Sequence, residues 1–378
     1  MNTELLVSRV LDPDWLSDQA GRSVRAARLR IKPRTSLVVA LDDTAGQPVG
    51  WLRFLWPISH NKAARTSREA GELGLETSEH ELGELLVQTG PLPADPKLLT
   101  RIAAATASGK LGGWEASQVL RYNPLRRLVV RDGMRVVRVA TSRDRGVAFD
   151  RFMAGAVETP RRLDDGTLDG VSVHAFTGDL DLADLLDGNS SEADRDPVHG
   201  TSDPVRAAGV MLAQLHAAEV PGDLARSLAA RTADPVAQGL AHAALLDELA
   251  PDLAERMRRV VAELPGVASA MPVLSHGDLS PDQVLTTHAG DTVWLTDFDR
   301  ACLAPRAVDL GSFLAVLDDA AFLDGYRDGG GQVPPEDQLR RAVAASLILR
   351  AADPLRRACR DWKQQVSANL DRIREVAT

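Results

Sequence analysis

Two stretches in the first half of the chain repeat one alternation of apolar and polar positions. LRIKPRTSLVVALDD begins at Leu29 and LRYNPLRRLVVRDG at Leu120. Each reads as a strand, a Pro-containing turn and a Leu-Val-Val strand. Another short strand follows each of them, GWLRFLW after the first and RVVRVAT after the second. The first 175 residues are therefore expected to be rich in sheet and to hold two similar units. Duplication and a chance likeness of Pro-turn hairpins both account for the match. ATASGKLGGWEAS, residues 105–117, is the expected connector.

The pattern changes at residue 176. GDLDLADLL predicts a polar turn and a short helix, and LDGNSSEADRDPVHGTSDP a polar linker. Asp203-Pro204 has the N-cap and first-turn residues of a helix. Val205, Ala208, Met211, Leu212 and Leu215 then share one helical face, and His216 at its end is expected to be structural. Helical spacing also covers residues 235–264, 338–352 and the C-terminal KQQVSANLDRIREVAT. The expected organisation is an extra strand-rich module over 1–115, a small sheet lobe over 116–175 and a helical lobe over 176–378.

Composition narrows the function classes. The chain has 378 residues, 44% of them hydrophobic and 26% charged, as in ordinary globular proteins. A net charge of −9 disfavours nucleic-acid binding. The two cysteines, Cys302 and Cys359, provide neither a disulfide framework nor metal-ligand spacing. The N-terminal stretch lacks the pattern of a signal peptide, and no apolar run approaches a membrane span, so a reducing cytoplasm is expected. Lysine is scarce: Lys32, Lys62, Lys97, Lys110 and Lys363 are all there are.

One β element interrupts the helical part, in HGDLSPDQVLTTHAGDTVWLTDFD, residues 276–299. A hairpin centred on Gly290 sets Gln283 opposite Asp297, near the point where Asp278 enters. Two carboxylates and an amide on one spot suit phosphoryl transfer from a nucleotide. That reaction needs hard oxygen ligands for Mg²⁺ and a carboxylate to take the proton of the attacking hydroxyl.

HGDLSPDQVL followed by LTDFDRA resembles the catalytic loop and metal-binding segment of the aminoglycoside phosphotransferase/choline kinase family. GVMLAQLHAAEVP, APRAVDLGSFLA and FLDGYRD resemble other segments of that family, so that the likeness spans roughly residues 120–365. The resemblance implies an α+β, bilobal protein-kinase-like fold, with ATP or GTP as co-substrate and Mg²⁺ as cofactor. It aligns Asp278 with the catalytic base, and Gln283 and Asp297 with the metal ligands. Gln283 replaces the family's Asn, keeping the amide oxygen and adding one methylene. Asp299 replaces a Gly; its structural reading is a pair with Arg300 or Arg306. His276 and Asp309 take structural places near the site.

By the same resemblance, Arg138 occupies the place of the family's phosphate-gripping lysine, with Asp150 as its expected acidic partner. Arg131 and Arg135 are alternatives. Arg126 and Arg127 lie where a phosphate-covering loop is expected, either touching phosphate or solvated. The base would bond to backbone at Val173, Ala175 and Phe176, the hinge. Lys32 and Lys62 belong to the extra module. Three functions fit: a kinase of a small-metabolite hydroxyl, with the acidic helical lobe favouring a cationic acceptor; a kinase of a precursor peptide; and a binding scaffold without catalysis.

Overall fold

The computed structural model describes residues 1–113, 117–188, 203–229, 233–264, 266 and 271–377. Most of the expected polar linker (189–202) and part of the connector (114–116) lie outside the described residues.

The chain opens with two short helices, α1 (Thr3–Val10) and α2 (Pro13–Ala20). The side chains of Asn2 and Asp12 cap them by accepting first-turn N–H groups. A three-strand meander follows: β1 (Arg25–Lys32), β2 (Ser36–Asp42) and β3 (Pro48–Leu55). Helix α3 (Asn61–Gly71) then leads to β4 (Ser78–Leu82) and β5 (Leu85–Pro91). The sheet order is β1-β2-β3-β5-β4, antiparallel throughout. Alternation along β2 explains its uniform burial. Leu37, Val39 and Leu41 join Leu6, Val7 and Leu16 of the opening helices, while Ala40 belongs to a second core with Trp51.

After α4 (Leu99–Ala107) the same order of elements recurs. The meander β6 (Ser117–Asn123), β7 (Arg127–Asp132) and β8 (Arg135–Ala140) is followed by helix α5 (Val147–Ala156) and β9 (Val171–Ala175), which pairs with β8. Beyond β9, Arg162 bridges to His174 in the place that β4 holds in the first sheet. Leu128 and Val130 of β7 enter the core that holds Ala40 and Trp51, so the first sheet turns one face to the second. Asp95 fastens this joint. It is fully buried and accepts from the Tyr122 hydroxyl (2.7 Å) and from the Leu125, Lys97 and Leu98 N–H groups.

The C-terminal part is mostly helical. It begins with β10 (Leu180–Asp181), α6 (Leu182–Leu186), α7 (Pro204–Ala217), α8 (Gly222–Ala229), α9 (Pro235–Leu246) and α10 (Pro251–Glu263). Asp203 caps α7 as its sequence predicts. Four short strands follow: β11 (Val273–Ser275), β12 (Val284–Thr286), β13 (Val293–Leu295) and β14 (Cys302–Ala304). Helices α11 (Ala307–Leu314), α12 (Ala320–Asp328), α13 (Glu336–Arg350), α14 (Asp353–Arg356) and α15 (Trp362–Ala377) complete the chain. No helix among the described residues is long and apolar enough to cross a membrane.

Candidate active site

The loop after β11 carries Asp278, and Asp309 holds that loop. Buried Asp309 accepts the His276 and Gly277 N–H groups, both at 2.7 Å, and faces His216 Nε2 at 3.1 Å. Burial pushes the Asp309 carboxyl up, but His216 and the loop N–H groups outweigh it and hold the carboxyl below its ordinary value. Gly277 has φ +83°, and a Cβ there would stand 2.2 Å from the Arg300 carbonyl oxygen, so the loop requires glycine. His276 Nε2 lies 2.8 Å from the Thr296 carbonyl, tying the loop to the end of β13.

The hairpin is real, with a register one step from the expected one. Val284 pairs with Leu295 and Thr286 with Val293, and the Thr296 N–H donates to the Gln283 carbonyl at 3.0 Å. Gln283 therefore faces Thr296, not Asp297, because the turn is centred between residues 289 and 290 and not on Gly290. Asp297 follows immediately, in a left-handed backbone conformation (φ +62°) that frees it from strand alternation.

Gln283 and Asp297 both line a cavity of about 300 Å³ between the second sheet and the hairpin. The Gln283 side chain is buried and its Oε1 has no hydrogen-bond partner among the described residues. A buried orphan oxygen beside a carboxylate fits a hard cation such as Mg²⁺. Asp297 accepts from Arg127 at 2.7 and 2.8 Å. Burial pushes its carboxyl up, yet Arg127 outweighs burial and keeps it below the ordinary value, ionised at neutral pH.

The arginines are arranged differently from expectation. Arg138 lines the cavity, but its partner is Asp299; Asp150 instead accepts from Arg162 at 2.6 Å. Asp299 thus pairs across to the sheet rather than with Arg300 or Arg306. The reason is the path of residues 158–164, which brings Arg162 beneath α5 to Asp144, Asp150 and Asp164. Arg127 enters the cavity, whereas Arg126 is not part of its lining and lies near Arg30, Arg300 and Arg356. Arg131 stacks on Phe176, 3.7 Å from the ring centroid, and Arg135 pairs with Asp132.

The expected hinge is also occupied. The Val173, Ala175 and Phe176 N–H groups donate to Asp164, Arg161 and Met134, at 2.8, 2.8 and 2.9 Å. The segment alongside β9 takes the first two donors and the turn between β7 and β8 takes the third, so a base would not find them free. Ala175 and Phe176 still line the cavity, and Val173 does not.

Asp278 is part-buried, 2.9 Å from Arg350 and 3.5 Å from Arg300. An acidic lobe was expected to favour a cationic acceptor, but the immediate surroundings of this carboxylate are basic. Sequence reading set Arg300 against Asp299 and missed Arg350, along with Arg121, which pairs with Asp282 at 3.4 Å, and Arg145, which donates to the Asp299 and Ala301 carbonyls. Arginine is so frequent in this chain that no single one stands out.

A model of the phosphotransferase enzyme family matches residues 106–344. No curated protein matches the sequence. Among solved structures, APH(2")-IIia with GDP and kanamycin is 17% identical, with a TM-score of 0.51, 73% of this chain and 99% of that chain being covered. A choline/ethanolamine kinase family protein from Mesorhizobium loti is 17% identical, with a TM-score of 0.50 and coverages of 74% and 94%. The gentamicin complex of APH(2")-IIa is 14% identical, with a TM-score of 0.50 and coverages of 72% and 95%. These likenesses establish the bilobal kinase-like fold expected for residues 120–365.

Proposed function

Because the chain belongs to the phosphotransferase enzyme family, we propose that it transfers the γ-phosphate of ATP or GTP to a hydroxyl of a small molecule. The observation that carries this reading is the orphaned, buried Gln283 Oε1 in the same cavity as the ionised Asp297. Gln283 and Asp297 would hold Mg²⁺, which supplies charge neutralisation of the phosphates. Arg138 and Arg127 line the same cavity and neutralise phosphate oxygens, Arg127 leaving Asp297 to do so. Asp278 accepts the proton of the acceptor hydroxyl. Arg300 and Arg350 orient it, and they support an acceptor with neutral or anionic groups beside its hydroxyl. His276 and Asp309 hold the loop, and Asp299 restrains Arg138. Asp150, Ala175 and Phe176 complete the wall that the nucleotide meets. The repeated order of elements in the two sheets supports a duplicated lobe, with residues 1–115 as the extra copy.

The test is nucleotide turnover with and without Mg²⁺, using ATP and GTP against aminoglycosides, amino sugars and sugar acids. Mg²⁺-dependent turnover raised by one acceptor class is the expected result. Neither Mg²⁺-dependent nucleotide binding nor hydrolysis in any arm would return the chain to the scaffold reading.

A further inference from the structure

The first sheet carries the same framework as the second, down to the register. Arg30 pairs with Val38 and Val38 with Arg53. In the second sheet Arg121 pairs with Val129 and Val129 with Arg138. Residues in register on neighbouring strands share a face. Each row of Arg, Val and Arg lines a cavity of its own, the first of about 160 Å³ and the second of about 300 Å³. The second row faces the helical lobe. The first faces the second sheet, whose Leu125 helps to close the smaller cavity.

The two cavities differ in charge. Asp282 and Asp299 meet Arg121 and Arg138. No acidic residue lines the smaller cavity among the described residues, and Lys32, Lys62, Arg65 and Lys97 join its two arginines. Three of the five lysines in a chain of net charge −9 therefore meet at one place. Such a gathering of like charges opposes folding unless something offsets it.

The neighbours do not offset it fully. Arg53 is 4% exposed; it donates to the Lys62 carbonyl and Thr66 Oγ1, both at 2.9 Å, and its Nε has no partner among the described residues. Arg30 reaches the Leu125 carbonyl at 3.4 Å and Lys62 reaches Ser59 Oγ at 2.9 Å, both neutral acceptors. Arg65 has Glu69 at 3.7 Å. Asp95 lies within range of Arg30, Arg53 and Lys97, and Glu79 within range of Arg53; the Asp95 oxygens already accept from Tyr122 and three backbone N–H groups, and Glu79 Oε1 accepts from Ser67 and Gln88. Burial lowers the Arg53 guanidinium to about 10 and also lowers Lys97, with Arg30 and Lys32 adding repulsion at Lys97.

We propose that this cavity binds a compact oxyanion of one or two phosphate groups. Arg53 forms its floor, with Arg30, Lys32, Lys62, Arg65 and Lys97 around it. A smaller volume than that of the neighbouring cavity suits phosphate groups without a bound base. Lysines and an arginine fork are the donors such groups take. The site stands apart from Asp278, Gln283 and Asp297 and does not require the function proposed for them.

The experiment is calorimetry on the full chain without Mg²⁺, with inorganic phosphate, pyrophosphate and glycerol phosphate as probes and sodium chloride at matched ionic strength as control. Inorganic phosphate and pyrophosphate separate a free anion from the ester that glycerol phosphate represents. Lys32, Lys62 and Lys97 are exposed, so Lys32→Gln/Lys62→Gln/Lys97→Gln should fold, which circular dichroism checks. The wild type should bind at least one probe, and the triple variant should bind it about tenfold or more weakly, a loss of about 1.4 kcal/mol. Magnesium-nucleotide binding, measured on both proteins, should not change. No binding beyond the chloride control, equal binding by the triple variant, or an equal loss of magnesium-nucleotide binding would each overturn the site.

Discussion

The two cavities begin from one arrangement, an Arg-Val-Arg row on the face of a three-strand meander, and diverge in what is set against it. Against the second row stand carboxylates from the helical lobe: Asp282, Asp297 and Asp299. Against the first stand more cations and backbone carbonyls. A row of arginines alone attracts anions. The same row facing carboxylates can share a phosphate with a metal, which phosphoryl transfer requires. In the functions proposed above, the helical lobe supplies the carboxylates and the sheets supply the arginine rows.

Removing the carboxylates should move the second cavity toward the first. The largest effect is expected from Asp297→Asn. Turnover should fall below detection, while the cavity still binds nucleotide phosphates without Mg²⁺ through the released Arg127. Steady-state rates and Mg²⁺-free titrations check both parts, and wild-type turnover at ordinary Mg²⁺ would remove Asp297 from the site. The variant also carries a pH signature. The folded pKa of Asp297 is depressed, so its ion pair with Arg127 stabilises the protein above the ordinary carboxylate range and is lost as pH falls through the folded value, which lies under that range. Urea midpoints of wild type and variant should therefore converge below that pH and differ at pH 7.

Asp278→Asn comes next. A positioned base contributes roughly 10²–10⁴-fold to the rate, so turnover should drop by that factor with nucleotide affinity almost unchanged. An equal collapse of nucleotide binding would make Asp278 part of the nucleotide site instead. Gln283→Leu keeps the bulk of the side chain and removes the orphan oxygen. It should raise the Mg²⁺ concentration needed for half-maximal turnover by roughly tenfold, the equivalent of about 1.4 kcal/mol, and Gln283→Asn should keep part of the activity. Identical Mg²⁺ curves for Gln283→Leu and wild type would mean that the oxygen is not a ligand. The smallest change belongs to Asp299→Asn. Its carboxylate is 45% exposed, and such pairs are worth about 1 kcal/mol or less. Nucleotide affinity should shift by no more than about fivefold, toward tighter binding in the absence of metal.

The parts of this comparison legible in the sequence are those written locally. Leu29 and Leu120 open matching strand-turn-strand segments because turn chemistry and alternation act over a few residues. The Asp203 cap and the hairpin after Gln283 are local for the same reason. The register of that hairpin differs by one because a single glycine in the loop 287–292 does not say whether the turn is centred on it or on the bond before it. Partners across the chain were not legible. Arg127 and Asp297 are 170 residues apart, Arg138 and Asp299 161, and the chain has many arginines and aspartates from which to choose. The donors at Val173 and Ala175 looked free because nothing local shows that residues 161–164 run beside them.

The left-handed backbone at Asp297 limits what can stand at that position. Aspartate and asparagine tolerate this conformation because their short polar side chains bond locally, whereas other L-residues pay about 1–2 kcal/mol there. Alanine at this position would remove the charge and also add a backbone cost, mixing two losses in one measurement. Asparagine changes the charge and leaves the backbone. Backbone geometry therefore steers any drift of this sequence away from aspartate toward glycine or asparagine, and of the two only asparagine keeps an oxygen on the cavity.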